Sequence, residues 1–190
     1  MIVPVAAGHV EPGYSHSSQF ISELGAAGAA NARLVSLAGF APIGALVLAF
    51  LAFAYEILPG TRKRRTAGAI SLAAVGAAYL MAAVFPCDAG CPGSGSISQS
   101  IHNAFGLLEY AGAWVGLVLL GSTFRDSAQW RALAPACMAS AVLLGAGFVA
   151  MLLPELASVR GLSQRVAEAS IFGWIAIVSV FLLRARPEAV

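Results

Sequence analysis

Charge is scarce in this chain: 11 Lys and Arg, 9 Asp and Glu and 3 His stand among 190 residues, so only 11% of the side chains are charged. Ordinary soluble domains carry about a quarter. Together with 59% hydrophobic residues and a mean hydropathy of +0.82, this excludes a water-soluble globule. A net charge of +2 is too small to suggest a nucleic-acid partner, which is held by clustered Lys and Arg. Residues 1–30 have no basic start followed by a continuous apolar run, so no cleavable signal peptide is expected. Internal repeats and low-complexity tracts are also missing, which leaves repeat-built transporter architectures without support.

What is abundant is long apolar sequence. Five stretches, at about 34–57, 67–86, 101–121, 132–153 and 166–183, each approach the roughly 20 residues that a helix needs to cross about 30 Å of hydrocarbon. The expected fold is an all-α polytopic transmembrane bundle of five spanning helices in one integral membrane domain over 1–190, with membrane lipids as its surroundings. Short connections make successive helices antiparallel. Lys and Arg favour the cytoplasmic side, and Arg62, Lys63, Arg64, Arg65, Arg125, Arg131, Arg184 and Arg186 fall on one side against Arg33, Arg160 and Arg165 on the other, eight to three. That bias places the N-terminus outside and the C-terminus in the cytoplasm. Gly112 and Gly116 form a GxxxG spacing that lets a second helix approach. Pro42 and Pro135 sit near the ends of apolar stretches, where neighbouring helices can satisfy freed carbonyls.

Three polar segments share the outer side under this topology. In 14–25, helical spacing puts His16, Gln19 and Glu23 on one face and Phe20, Ile21 and Leu24 on the other, an amphipathic interfacial segment stopped by Gly25. From the second span into the third run Asp88, Ser98, His102 and Glu109, the last three forming one polar stripe. Glu109 then lies at bilayer depth, where a carboxylate faces the bundle interior or a wet cavity. The third segment holds Ser163 as a helix cap, with Gln164 and Arg165 within a turn of Glu168, so that Arg165 can neutralise Glu168 or Glu109 or hold an anionic headgroup. Tyr110, Trp114 and Trp174 read as packing or interface residues.

Cys87 and Cys91 bracket Asp-Ala-Gly in a loop on the oxidising side, and Cys137 lies within the fourth span. A structural disulfide between Cys87 and Cys91 suits that compartment. A redox-active pair and a cysteine-ligated zinc site are the rivals; the first lacks a second cysteine pair for an electron relay, the second a second metal-binding pair.

The motifs Tyr-Ser-His-x-Ser-Gln-x-Ile-Ser-Glu-Leu-Gly at 14–25, Phe-Pro-Cys-Asp-x-Gly-Cys at 85–91, Ser-x-x-x-His at 98–102 and Gly-Leu-Ser-Gln-Arg at 161–165 resemble those of the bacterial membrane proteins grouped as domain of unknown function 998. The resemblance implies a multi-pass protein of the bacterial cytoplasmic (inner) membrane, and it does not imply any particular activity. It also implies a departure, because relatives resemble six-helix proteins with an apolar span before the Tyr-Ser-His motif, whereas thirteen residues precede Tyr14 here.

Three functions compete. A metal-dependent hydrolase of a lipid or other amphiphile would hold zinc through His16, Asp88 and His102 and activate a water on it. Glu109 or Glu23 would then act as general base, Ser98 as transition-state donor, and Gln19, Gln164, Arg165 and Glu168 would hold the substrate. The layout resembles in outline the sites of the alkaline ceramidase-like membrane hydrolases, which use three histidines, whereas His9 lies outside every motif here. A binding or transport protein would use the same cavity for a small solute or lipid headgroup, its carboxylates coupling protons or cations. A haem protein with His16 and His102 as axial ligands ranks lowest, and a purely structural membrane role stands close behind the first two.

Overall fold

The structure, a computed structural model, describes residues 2–184. In hydrocarbon no water is present to satisfy backbone N–H and C=O groups, so apolar sequence of this length closes its hydrogen bonds within helices. Six helices organise the described residues: α1 (Ile2–Val10), α2 (Ala32–Ala54), α3 (Arg62–Val84), α4 (Ile97–Arg125), α5 (Ala134–Leu152) and α6 (Arg160–Arg184). No strand occurs among the described residues. The segments α2, α3, α4, Arg131–Leu152 and Pro154–Arg184 are each long and apolar enough to cross a membrane, so the five expected spans are present. Residues far from the core carry the same message: Leu46, Phe53 and Ile70 are 69%, 82% and 68% exposed, an apolar outer surface suited to lipid.

Several helices start earlier than hydropathy indicates, and in α3 and α4 the polar first turn is capped. Thr61 Oγ1 accepts the Arg64 N–H at 3.4 Å, which lets α3 begin on its basic cluster. Ser96 Oγ accepts the Gln99 N–H at 3.1 Å and opens α4. Helix α6 starts at Arg160, so Ser163 is inside it and not its cap; its hydroxyl donates to Val159 O at 3.1 Å. In α2 the turn over Val35–Phe40 is widened to π geometry just before Pro42. Pro42 has no N–H to offer the carbonyl four residues back, and a wider turn is one way a helix absorbs that loss.

The helices meet through small residues. A Cβ built on Gly112 would lie 2.6 Å from Ser71 O, and one on Gly116 would lie 2.6 Å from Leu72 Cγ, so the GxxxG pair marks the α3–α4 contact. Gly44 on α2 meets Gly76 on α3, and Gly147 on α5 meets Ser163 and Ala167 on α6 in the same way. Leu117, Leu120, Leu144, Ile171 and Trp174 fill the centre, each no more than 1% exposed.

The two ends of the bundle differ in chemistry. One carries α3's basic start, where Arg64 pairs with Asp126 and Arg65 with Glu56, both at 3.2 Å. Arg186, counted with this end, lies outside the described residues. The other end, called the loop end here, gathers the segments 11–31, 85–96 and 153–159. Within it, 14–25 is a series of turns closing in a 3-10 helix, Ile21–Gly25, rather than a continuous amphipathic helix. Its apolar face packs on the bundle, with Ile21 and Leu24 buried. Helix α1 precedes it, an element that hydropathy did not suggest, and its Pro4 rests on Gly39 in the π turn of α2.

Candidate functional site

The 14–25 and 161–165 motifs are two halves of one bracket. Gly161 lies against the Gln19 backbone where no Cβ would fit, and the Leu162 N–H donates to Ser17 O at 2.9 Å. Arg165 Nη1 donates to the carbonyls of His16 at 2.6 Å, Gly161 at 2.9 Å and Gln19 at 3.1 Å, while Nη2 donates to Tyr14 Oη at 2.7 Å and His16 Nδ1 at 2.9 Å. The fixed fork of a guanidinium suits this clamping task. Arg165 is therefore committed to the loop and forms no ion pair with Glu109 or Glu168. Arg160 adds a bond to Ser18 O at 3.1 Å and an ion pair with Glu23 at 3.5 Å. Glu23 in turn accepts from Gln19 Nε2 at 2.9 Å and from the Phe20 N–H at 2.8 Å.

Within the bracket, His16 accepts from Arg165 on Nδ1, so the ring proton of the neutral form sits on Nε2, which is buried without a partner. Burial, reinforced by Arg165 and His9, holds the imidazole below its ordinary range. Burial likewise raises the Tyr14 phenol against the opposing pull of Arg165.

Beneath the bracket lies a cavity of about 70 Å³ whose polar lining is Ser22, Tyr79, His102, Glu109, Tyr110, Gln164 and Glu168. Glu109 and Glu168 are 8% and 3% exposed, and they stand about 18 Å and about 12 Å along their helices from Ile97 and Arg160, at 1.5 Å per residue. Tyr110 Oη donates to Glu168 Oε1 at 2.7 Å and Tyr79 Oη to Glu168 Oε2 at 3.0 Å. Gln164 Nε2 donates to Tyr110 Oη at 3.1 Å and its Oε1 accepts the Ile21 N–H at 2.6 Å, which joins the loop above to the carboxyl below. Glu109 lines the same cavity as Glu168, and its Oε1 is buried without a hydrogen-bond partner. The arrangement is thus two buried carboxyls on one cavity wall, one of them held by two tyrosine hydroxyls. Among the described residues, neither carboxyl has a Lys or Arg partner.

The 85–103 segment builds a second polar cluster at the cavity mouth. Asp88 accepts from the Ser96 N–H and Ser96 Oγ, both at 2.8 Å, which holds its carboxyl below the usual range. Gln99, fully buried, accepts the Asp88 N–H at 2.7 Å and donates to Pro92 O at 2.7 Å. Ser98 Oγ donates to Pro86 O at 2.7 Å. His102 Nδ1 donates to Phe85 O at 3.1 Å. Cys87 and Cys91 form a disulfide, and Cys137 is free and buried beneath the Trp174 indole, whose N–H points at its sulfur from 2.9 Å.

The sequence-derived residues therefore fall into three groups. Gln19, Glu23, His16 and Arg165 share the bracket; Glu109, Glu168, Gln164 and His102 share the cavity; Asp88 and Ser98 serve the loop turn. Among the described residues, the trio of ligand types whose donor atoms lie within 4.8 Å of one another is Cys87, Cys91 and His102, and it includes neither His16 nor Asp88. Sequence reasoning assigned Tyr110 to packing and passed over Tyr79 and Gln99. For Tyr110 the signal was its place beside Glu109 in an otherwise apolar span.

No curated protein and no solved structure matches the chain. The family profile described as "Protein of unknown function (DUF998)" matches residues 1–181, and a multi-pass helical protein carrying these motifs through nearly its whole length belongs to that family.

Proposed function

We propose that this protein binds or transports a small polar solute, with the Glu109–Glu168 pair as its proton-carrying group. The observation that supports this reading best is Glu109 Oε1, buried on the cavity wall without a donor beside a second carboxyl. Two buried carboxyls with no basic partner among the described residues favour a solute that brings positive charge or exchanges for a proton. The groups facing it are Tyr79 from α3, Tyr110 and His102 from α4, and Gln164 from α6. Gln164 also contacts the Ile21 backbone, so loop position and carboxyl geometry are linked through one side chain. Hydrolysis with His16, Asp88 and His102 as metal ligands has less support, since those side chains serve different parts of the structure. The membrane of residence is proposed to be the bacterial cytoplasmic one, with the loop end outside, on the strength of the Lys and Arg bias.

The test is proton movement in proteoliposomes that carry an internal pH indicator, with methylammonium as probe. An imposed methylammonium gradient is expected to drive proton counterflow beyond that of empty vesicles in the parent and not in Glu109→Gln or Glu168→Gln. Infrared difference spectra of the purified parent should show one protonated carboxyl, lost in Glu109→Gln. A parent with neither the carboxyl band nor probe-driven proton flux would overturn the reading.

A further inference from the structure

The loop at the cavity mouth carries chemistry that a solute site does not require. Cys87 is fully buried, Cys91 is half-buried at a positive φ of 46°, and His102 reaches them from the first turns of α4. The donor atoms of all three lie within 4.8 Å of one another. A tetrahedral ion with metal–sulfur bonds of about 2.3 Å holds two thiolates about 3.8 Å apart, which fits inside that limit.

Three features of the surroundings suit a ligand set. His102 gives its Nδ1–H to Phe85 O, and because a carbonyl can only accept, the neutral ring keeps its lone pair on Nε2. A ring N–H given to a backbone carbonyl is the usual outer support of a metal-binding histidine. Next, the cysteine backbones are pinned without help from the disulfide. Gln99 ties Asp88 N–H and Pro92 O, Asn103 donates to Pro92 O and Gly93 O, the Cys91 N–H closes a turn on Asp88 O at 2.9 Å, and Ala27 N–H binds Cys87 O at 2.8 Å. Reduction therefore leaves both sulfurs beside His102. Finally, Ser22 serves the reduced state: its carbonyl lies 3.6 Å from Cys87 Sγ and its hydroxyl 3.4 Å from Cys91 Sγ. A disulfide has no proton for that carbonyl, whereas a thiol does.

We propose that, once reduced, Cys87, Cys91 and His102 bind one thiophilic metal ion of the zinc(II) class, so that the loop alternates between a disulfide-closed and a metal-closed state. An external dithiol supplies two electrons and two protons; it leaves as its own disulfide while the Cys87–Cys91 bond opens to two thiols. The divalent ion then displaces both thiol protons, takes the His102 imidazole as third ligand and keeps a fourth position for water or Ser22 Oγ. Nothing in this step uses the carboxyl pair.

The experiment uses the full chain in detergent, reduced with a phosphine and titrated with cobalt(II) alone as a coloured zinc substitute. One equivalent is expected to bind with a thiolate-to-cobalt charge-transfer band, and zinc(II) should bleach it. The band should be absent from the oxidised parent and from the Cys87→Ser/Cys91→Ser double variant, unchanged in Cys137→Ser, and at least about 10-fold weaker in affinity in His102→Ala or His102→Gln, whichever stays monodisperse. A reduced, monodisperse, helical parent without the band would overturn the proposal. So would a band that survives the double cysteine variant, or full affinity in both His102 variants.

Discussion

His16 concentrates the behaviour of the bracket in one ring. Its Nδ1 must keep a lone pair to accept from Arg165, and His9, Tyr14 and Arg165 are the titratable or charged groups around it. Because burial holds its pKa down, the unfolded chain binds the proton first as pH falls. Stability contributed by neutral His16 is thus fully present above the unfolded value of about 6.5 and is lost progressively below it. Thermal unfolding in detergent is expected to move to lower temperature between about pH 7.5 and about pH 5. The His16→Gln variant keeps an acceptor for Arg165 and should lose most of that pH dependence; an equal shift in parent and variant would remove His16 as the cause. Glu109 teaches the same lesson at greater depth, since its meaning comes from the atom that lacks a donor rather than from those that have one.

Among the elements, the α3–α4 pair is the frame on which the cavity hangs. It supplies Tyr79 from one helix and His102, Glu109 and Tyr110 from the other, and its spacing is set by Gly112 and Gly116. A side chain at Gly116 meets Leu72 and Gly68 O at once, so Gly116→Leu must push the helices apart, at a cost of about 1–3 kcal/mol typical of overpacking. The matched control is Gly173→Leu on α6, where an added Cβ meets nothing within 4 Å and the change should stay within about 0.5 kcal/mol. Thermal melting of the two variants checks this, and equal destabilisation would mean that the glycine contact is not what sets the spacing. The bracket is the other element-level device: two short motifs more than a hundred residues apart in sequence fit each other through Arg160, Gly161, Gln164 and Arg165. Each motif is legible in the sequence as polar and unusual, but neither says that the other is its partner.

At the scale of the whole molecule, the two ends of the bundle predict orientation. Ser94 lies in the 85–96 loop and Ser127 at the basic end beside Asp126. A membrane-impermeant thiol reagent applied to intact cells is expected to label Ser94→Cys and to spare Ser127→Cys until the cells are opened. Labelling of Ser127→Cys from outside would invert the proposed topology and place the cavity mouth and the Cys87–Cys91 loop in the cytoplasm. Five spans and a charge bias suffice to make this prediction, because hydropathy and charge act on each segment separately.

That separability marks the division between what the residues announced and what only the fold decided. Membrane residence, the number of spans, the polar loop end and the presence of a glutamate midway along an apolar helix are sums over contiguous residues, so the sequence determined them. Helix starts at Arg62 and Ile97 were less visible, since capped polar turns extend a helix beyond its apolar run. Partnership was not legible at all. Glu109 shares its cavity with Glu168, Arg165 turns to the loop carbonyls rather than to a glutamate, and His102 stands beside the cysteines rather than beside His16. Each outcome depends on the rotation of a helix about its axis, about 100° per residue. That rotation is set by which small residues let two backbones close, a choice made between helices and therefore absent from any one of them.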